Sequence, residues 1–552
     1  MRWLEPTAFL VILVALARPV GAYLHRVFER KPTFLDRWLL PIESAIYRVC
    51  GIQREREMTA LEYFGSFAVL GTAGTVFLFV LLIVQRWLPG GPAARFLTTP
   101  LSLDLAANTA VSFATTTTWQ AYAGESTLRY LTQTVGLVSQ NFLAGGAGLA
   151  VGIAFMRGLA RERMPTLGNF WVDLVRALLW VLLPLSLVGA VVLVWSGVPA
   201  NFSAYVQART LEGPVQWLAQ GPVAALEFIK NLGTNGGGFF NANGAHPYAN
   251  PTPFTNFLLL LAIAVVPAAL PVTFGRMVGR RKAGTVLLAV MVALFAVGVV
   301  IAGKAEAGNM EGKEVRFGTA GSALTAVVTS DTATGSYNSM HDSYRPWSVF
   351  VLVLNMLLGE IVFGGLGTGL YSMIMIALVG IVVAGLMIGR TPEYLGKTIR
   401  AEETRLVAIY TLLTPMVVLV LTAVAVSTRA GLSGLVTNTG PHGFAEILFA
   451  YASSMANNGQ NMAGLDANTV FYNVTTAVAM LAGRFGLAAV ALLLAGRFAA
   501  QGRTPFTIGS LPCDTPTFGV LVLGSVVITG ALSFLPVLAL GPVVEYFLSA
   551  AQ

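Results

Sequence analysis

Ten stretches of the chain are apolar over the length of a membrane-crossing helix. They fall near residues 4–24, 60–87, 129–156, 169–197, 254–275, 283–303, 347–388, 404–427, 469–497 and 517–547. A helix needs about 20 such residues to cross the hydrocarbon core of a bilayer, so the pattern predicts ten spans. The seventh run is about twice that length and carries GGLGTG, Gly364 to Gly369. Residues of such poor helix propensity predict either a break or a seam where small residues let helices pack closely. Four of the polar loops contain apolar pieces too short to cross, within 103–125, 221–247, 316–343 and 440–469. Runs of roughly 10–14 apolar residues suit re-entrant segments. Asp104 is a candidate cap for the first, and Pro222 and Pro441 suit the first turns of the second and fourth. Each piece ends in Thr, Asn and Gly, which stop helices.

Two full spans separate each of these loops from the next, so all four lie on one face. The pattern is therefore parallel: span, short helix, extended polar strand, span, four times over. The expected segments are 1–58 (N-terminal helix and basic loop), four repeats at 59–163, 164–282, 283–403 and 404–503, and 504–552 (C-terminal helix). Non-helical backbone at membrane depth is tolerated only where it is buried in protein or lines a wet cavity. Four such strands can surround one axis. Their carbonyls, Thr hydroxyls and Asn amides then offer a ring of oxygens that replaces the water around a monovalent cation. In LGTNGGGFFNAN, 232–243, successive carbonyls must turn inward, and the glycines allow the backbone angles this requires.

Composition agrees with the span count. Of 552 residues, 55% are hydrophobic and 11% charged, whereas a soluble domain carries roughly 25% charge. The net charge of +8 comes from Lys and Arg in short loops, where they set orientation, and nucleic-acid binding is excluded. The basic loop after the first run, with Arg26, Arg30, Lys31 and Arg37, marks that run as a retained helix rather than a cleaved signal, despite Arg2 before it. Both termini are then expected outside. Cys50 and Cys513 fall on the cytoplasmic side and form no disulfide framework. His25, His246, His341 and His442 show no ligand-like spacing, so no transition-metal site is expected. The chain has neither GxxxxGK[ST] nor DKTGT, and it cannot hydrolyse ATP itself.

LGTNGGGFFNANGAHP, NSMHDS, GEIVFGGLGTGLY, IGRTPEYLGK, GPHGF, GRFG and LALGPVVEY resemble segments of the potassium-binding subunit of the bacterial ATP-driven potassium uptake complex, the KdpA family. The resemblance implies an all-α polytopic fold of the potassium-channel and transporter superfamily, with an extra helix at each end of four repeats. It implies K+ as the transported ion, no organic cofactor, and a bacterial plasma membrane location. It also implies three protein partners besides lipid: a P-type ATPase subunit, a periplasm-facing single-helix subunit and a small single-helix subunit. A stand-alone potassium channel or symporter-type uptake protein of the same superfamily is the alternative.

By the match of motifs, the ion-selecting positions are Thr116, Thr118, Thr234, Asn235, Gly236, Thr334, Gly335, Asn457, Asn458 and Gly459. The first strand departs from the family pattern, with TTTT where Asn is expected. Arg484, inside the ninth span, is a costly intramembrane charge unless it snorkels, and the resemblance supports it as a gate below the filter. Glu360 is read as its partner or as a tunnel-lining group. Gly364, Gly365, Gly367 and Gly369 are assigned to the tunnel mouth, and Arg390 to helix anchoring or partner contact. Gln120 and Glu125 fall at the outer mouth, where Glu125 either attracts cations or is simply solvated.

Overall fold

Alternation of buried and lipid-accessible helices organises the molecule. The computed structural model describes residues 3–88, 94–504 and 512–550; Arg2 and the ends of the outermost segments lie outside these. Ten helices among the described residues are long and apolar enough to cross a membrane: Leu4–Phe28, Ala60–Trp87, Thr132–Ala160, Phe170–Trp195, Pro253–Met277, Arg281–Ala305, Thr368–Met387, Ala401–Ser427, Val470–Ala500 and Pro516–Ser549. In their most apolar windows the third, fifth, seventh and ninth are 89, 72, 72 and 56% buried, whereas the second, fourth, sixth and eighth are 17, 39, 44 and 33% buried. Each repeat thus places an outer helix before its polar loop and an inner helix after it. The first and tenth spans, each 28% buried, lie at the periphery.

The reason is legible in the side chains. The third span contains GGAGLAVG, whose small residues allow close helix approach. The second carries Leu61, Val69, Val76, Phe77 and Val80 outward. Capping boxes at Thr59 and Thr252 start the second and fifth spans.

Four short helices, Leu103–Ala114, Val223–Leu232, Gly318–Asp331 and Gly440–Ala456, stand on one face, here called the loop face. Ser102, not Asp104, caps the first by accepting from Leu105 N. Asp104 instead accepts from Asn473 Nδ2 at 2.7 Å, tying the helix to the ninth span. Pro222 is the cap residue of the second helix rather than part of its first turn, while Pro441 sits in the first turn of the fourth.

The long seventh run is two helices. Pro346–Leu357 ends, residues 358–367 are irregular, and the span resumes at Thr368. The unwound segment therefore starts before the glycine cluster, and Gly369 is already helical. Four left-handed residues (Gly359, Glu360, Phe363 and Gly365) and Gly367 at φ 123° make a continuous helix impossible here. The same segment is also a close-packed seam, because a Cβ at Gly152 would lie 2.6 Å from Gly367 Cα.

The opposite, basic face is held by buried ion pairs. Arg157 meets Asp173 at 2.8 Å, and Arg176 meets Glu43 at 3.0 Å. Glu43 belongs to an amphipathic helix, Asp36–Val49, that turns Trp38, Ile42 and Val49 outward.

Candidate functional site: four strands around one axis

Each short helix ends one or two residues before a three-residue strand of alternating backbone hand. The left-handed residues are Thr116 (φ 65°) and Thr118 (49°), Thr234 (48°) and Gly236 (111°), Ala333 (50°) and Gly335 (74°), and Asn457 (57°) and Gly459 (94°). Between each pair stands a residue of negative φ: Thr117, Asn235, Thr334 and Asn458. Alternating hand turns successive carbonyls toward the same side, the arrangement a dehydrating ring needs.

The strands close on one another in order. A Cβ at Gly236 would lie 1.6 Å from Thr334 O; one at Gly335 would lie 2.1 Å from Asn458 O; one at Gly459 would lie 2.0 Å from Thr117 O. The fourth joint differs, for Thr118 has a real side chain. Its hydroxyl donates to Asn235 O and accepts from Gly237 N at 2.7 Å. Second strand touches third, third touches fourth, fourth touches first, and first touches second, so the four surround a single axis.

Two cavities flank this ring. Thr118, Gly236, Gly335 and Gly459 all line the one toward the loop face. Thr116, Thr234, Ala333 and Asn457 all line the other. A wider vestibule of about 800 Å³ lies on the loop face above Trp119, Gln120 and Asn461.

Middle side chains point into the wall. Asn235 Nδ2 donates to Asn141 O at 3.1 Å, and Asn458 Nδ2 donates to Glu360 Oε1 at 2.7 Å and Thr329 O at 2.8 Å. Thr334 Oγ1 meets Thr332 Oγ1 at 2.8 Å. The Asn235 and Asn458 amide nitrogens thus bond into the wall, where the sequence suggested that the Asn amides join the oxygen ring, and they brace the strands. Glu360 is bonded to Asn458 rather than to Arg484.

Arg484 sits buried in a widened turn, Ala482–Gly486, of the ninth span. It donates to Ala144 O at 2.6 Å, lies 5.3 Å over the Phe67 ring, and lines the lower cavity with Gly365 and Leu366. Gly364 and Gly367 belong to the packed break beside it, and Gly369, in the first turn of the resumed helix, packs against Gly364. Arg390 is exposed beyond the far end of a 20-residue helix, about 30 Å along from the break at 1.5 Å per residue; the structure does not bring it to the ring. At the mouth, Gln120 Oε1 accepts from Gly238 N at 2.7 Å, and Glu125 Oε2 accepts from Asn241 N at 2.9 Å. Burial raises the Glu125 carboxyl above its ordinary range. Both residues brace the second loop.

Several residues of the site escaped sequence reasoning. Thr117 and Ala333 complete the alternation but carry no chemical signal. Lys230 and Glu227, fully buried, pair at 2.8 Å behind the second strand. Lys230 Nζ also donates to Asn243 Oδ1 at 2.6 Å, and Asn243 Nδ2 donates to Gly236 O at 2.8 Å. Their signal was available: an opposite-charge pair three residues apart in the otherwise apolar VAALEFIKNL. His442 likewise meets Asp342 and Glu545 at hydrogen-bond distance, from segments far apart in the chain, so spacing alone could not reveal it.

A family model, the potassium-transporting ATPase A subunit (KdpA), matches residues 7–547. The chain belongs to the KdpA family. KdpA relatives similar to it over nearly their whole length are named potassium-transporting ATPase potassium-binding subunits. One from Methylorubrum extorquens is 49% identical over 100% of this chain and 98% of its own. That of Solibacter usitatus is 45% identical over 99% of this chain and 98% of its own. Among solved structures, the potassium transporter TrkH from Vibrio parahaemolyticus resembles this KdpA chain in fold, with a TM-score of 0.53 and 15% identity over 94% of this chain and 99% of that one.

Proposed function

We propose that this chain selects K+ and passes it inward as the channel-like subunit of an ATP-driven, high-affinity uptake complex. The loop face is then the outside and the basic face the cytoplasm, with both termini outside and the chain in a bacterial plasma membrane. A P-type ATPase subunit hydrolyses ATP and takes over the ion; a periplasm-facing single-helix subunit and a small single-helix subunit complete the assembly. The observation that carries this reading is the closed ring of four alternating strands between two cavities. Its carbonyl dipoles replace hydration water, and the absence of a carboxylate at the strands themselves favours a monovalent over a divalent ion.

In this reading K+ enters by the vestibule past Gln120 and Glu125. It is dehydrated between residues 116–118, 234–236, 333–335 and 457–459. Below the ring it meets the Arg484 guanidinium, whose charge opposes free onward passage, and the break at 358–367 opens the side route toward the ATPase subunit. Arg390 at the cytoplasmic end is a contact for a partner. Reconstitution decides the matter: the chain with its partners should take up K+ only with ATP. Ohmic K+ flux through the chain alone, with no ATP dependence in the complex, would overturn the reading.

A further inference from the structure

At the start of the fourth short helix, three segments distant in sequence converge. His442 lies in the helix's first turn, Asp342 follows the third strand, and Glu545 belongs to the end of the last span. His442 Nδ1 is 2.7 Å from Glu545 Oε1, and Nε2 is 3.1 Å from Asp342 Oδ1. One turn along the helix, Glu446 brings Oε1 to 3.9 Å from the same Nε2. Asn438 Nδ2 donates to Glu446 Oε1 at 2.7 Å and to Asp342 Oδ2 at 3.3 Å, which fixes both carboxylates in place. The Glu446 side chain is fully buried, yet its Oε2 has no hydrogen-bond partner. A buried carboxylate oxygen left without a donor is costly, and three carboxylates around one imidazole leave negative charge in excess.

The donor set has the geometry of a metal triad. One atom from each of Asp342, His442 and Glu446 lies within 4.8 Å of the others. Zn2+ bonds of about 2.0–2.1 Å at tetrahedral angles place ligand atoms roughly 3.3 Å apart; the separations of 3.1 and 3.9 Å from Nε2 bracket that value. Metal-bound histidines almost always donate their other ring N–H to a carboxylate, a backbone carbonyl or water, and the Glu545 carboxylate stands at that position. His442 and Asp342 keep 17% and 13% side-chain exposure, so an ion can reach them from the loop face. An imidazole nitrogen selects against K+, Ca2+ and Mg2+, which take oxygen ligands, and in favour of Zn2+ and its neighbours.

We propose that Asp342, His442 and Glu446 form a binding site for one divalent metal ion of the Zn2+ class, with Glu545 orienting the imidazole. The ion cross-links the third outer loop, the fourth short helix and the last span. It thereby steadies the helix that delivers Asn457, Asn458 and Gly459 to the ring.

The test uses the intact complex with its partner subunits, stripped with a chelator and dialysed against trace Zn2+. Metal content is measured by mass spectrometry and thermal stability by a melting curve, for the wild type and for His442→Ala. Expected are one Zn2+ more per complex in the wild type than in His442→Ala, and a rise in melting midpoint with Zn2+ that the variant lacks and Mg2+ does not reproduce. Asp342→Asn, which keeps the imidazole, repeats the comparison if His442→Ala does not assemble. Equal Zn2+ content in wild type and variant, or a wild type that takes up none, overturns the proposal.

Discussion

The first strand and the other three solve the same problem with different chemistry. At Gly236, Gly335 and Gly459 the neighbouring strand's carbonyl sits where a Cβ would be, so the joint is made by the absence of a side chain. At Thr118 the side chain is present, at φ 49°, and its hydroxyl makes the joint by donating to Asn235 O and accepting from Gly237 N. A left-handed non-glycine residue costs of order 1–3 kcal/mol and persists only where its surroundings over-determine it; two hydrogen bonds supply that here. The ring can therefore be fourfold in backbone while unequal in side chains. One consequence concerns the ion. A carbonyl lone pair that accepts a hydroxyl proton is not free for a cation, and the Thr118 hydroxyl reaches both the Asn235 carbonyl and, at 2.9 Å, the Thr117 carbonyl, so these two middle oxygens are less available than those of Thr334 and Asn458.

The largest effect is expected where a side chain is forced into a glycine joint. Gly236→Asp places a Cβ 1.6 Å from Thr334 O at φ 111° and adds a carboxylate beside the ring. The K+ concentration for half-maximal ATPase stimulation of the complex should rise about a thousandfold, about 4 kcal/mol, with discrimination against Rb+ reduced. Retained affinity and selectivity in an assembled complex would show that the second strand does not contact the ion.

Next comes the support of the second strand. Lys230→Met removes the ion-pair partner of buried Glu227 and one of the three donors that hold Asn243 Oδ1, beside Gly244 N at 2.8 Å and Ser336 Oγ at 3.3 Å. Breaking a buried ion pair costs about 3–5 kcal/mol, so detergent stability of the complex should fall. Glu227→Gln combined with Lys230→Met should recover most of that loss while K+ affinity stays lowered, because Asn243, which donates to Gly236 O, still lacks its charged donor. If the double variant also restores affinity, Lys230 serves packing alone.

The third prediction tests the unusual joint directly. Thr118→Val keeps the shape and deletes both hydrogen bonds, leaving Gly237 N without its acceptor, at about 1–3 kcal/mol; K+ affinity should drop roughly tenfold. Thr118→Gly instead makes the four joints alike and frees the Asn235 carbonyl. It should stay within about threefold of wild type and shift the K+ to Rb+ ratio. A Thr118→Val complex that binds K+ as well as the wild type would mean that the hydroxyl is dispensable.

How far the sequence carries depends on which property is local. Ten spans and four short helices follow from the length of apolar runs, and the parallel repeat follows from counting crossings. Glycines at 236, 335 and 459 announce backbone freedom. Ala333 and Thr117 announce nothing, because what they contribute is a dihedral angle and a carbonyl that any residue possesses. The break in the seventh run is visible as glycines, yet it starts earlier, at Leu358, and within it Glu360 accepts from Asn458, 98 residues away. The direction of the Asn235 and Asn458 amides is likewise tertiary: Asn141 O and Glu360 claim them, and nothing near them in sequence predicts either acceptor.

The smallest effect is expected at the mouth, where the comparison of strands reaches its outer limit. Glu125 joins the loop after the first strand to the loop after the second by accepting from Asn241 N at 2.9 Å. Burial raises its carboxyl above the usual range, so the folded chain releases this proton at higher pH than an unfolded one. Its charge is disfavoured by folding, the small stabilising contribution of the protonated form is present at low pH, and it is lost as pH rises through the elevated value. Glu125→Gln keeps an acceptor for Asn241 N and removes the charge. Half-maximal K+ should change by less than about threefold at neutral pH, under about 0.7 kcal/mol, with the difference from wild type vanishing on acidification as the native carboxyl protonates. A tenfold loss that persists in acid would show that Glu125 positions the second loop rather than lending its charge to the approach of the cation.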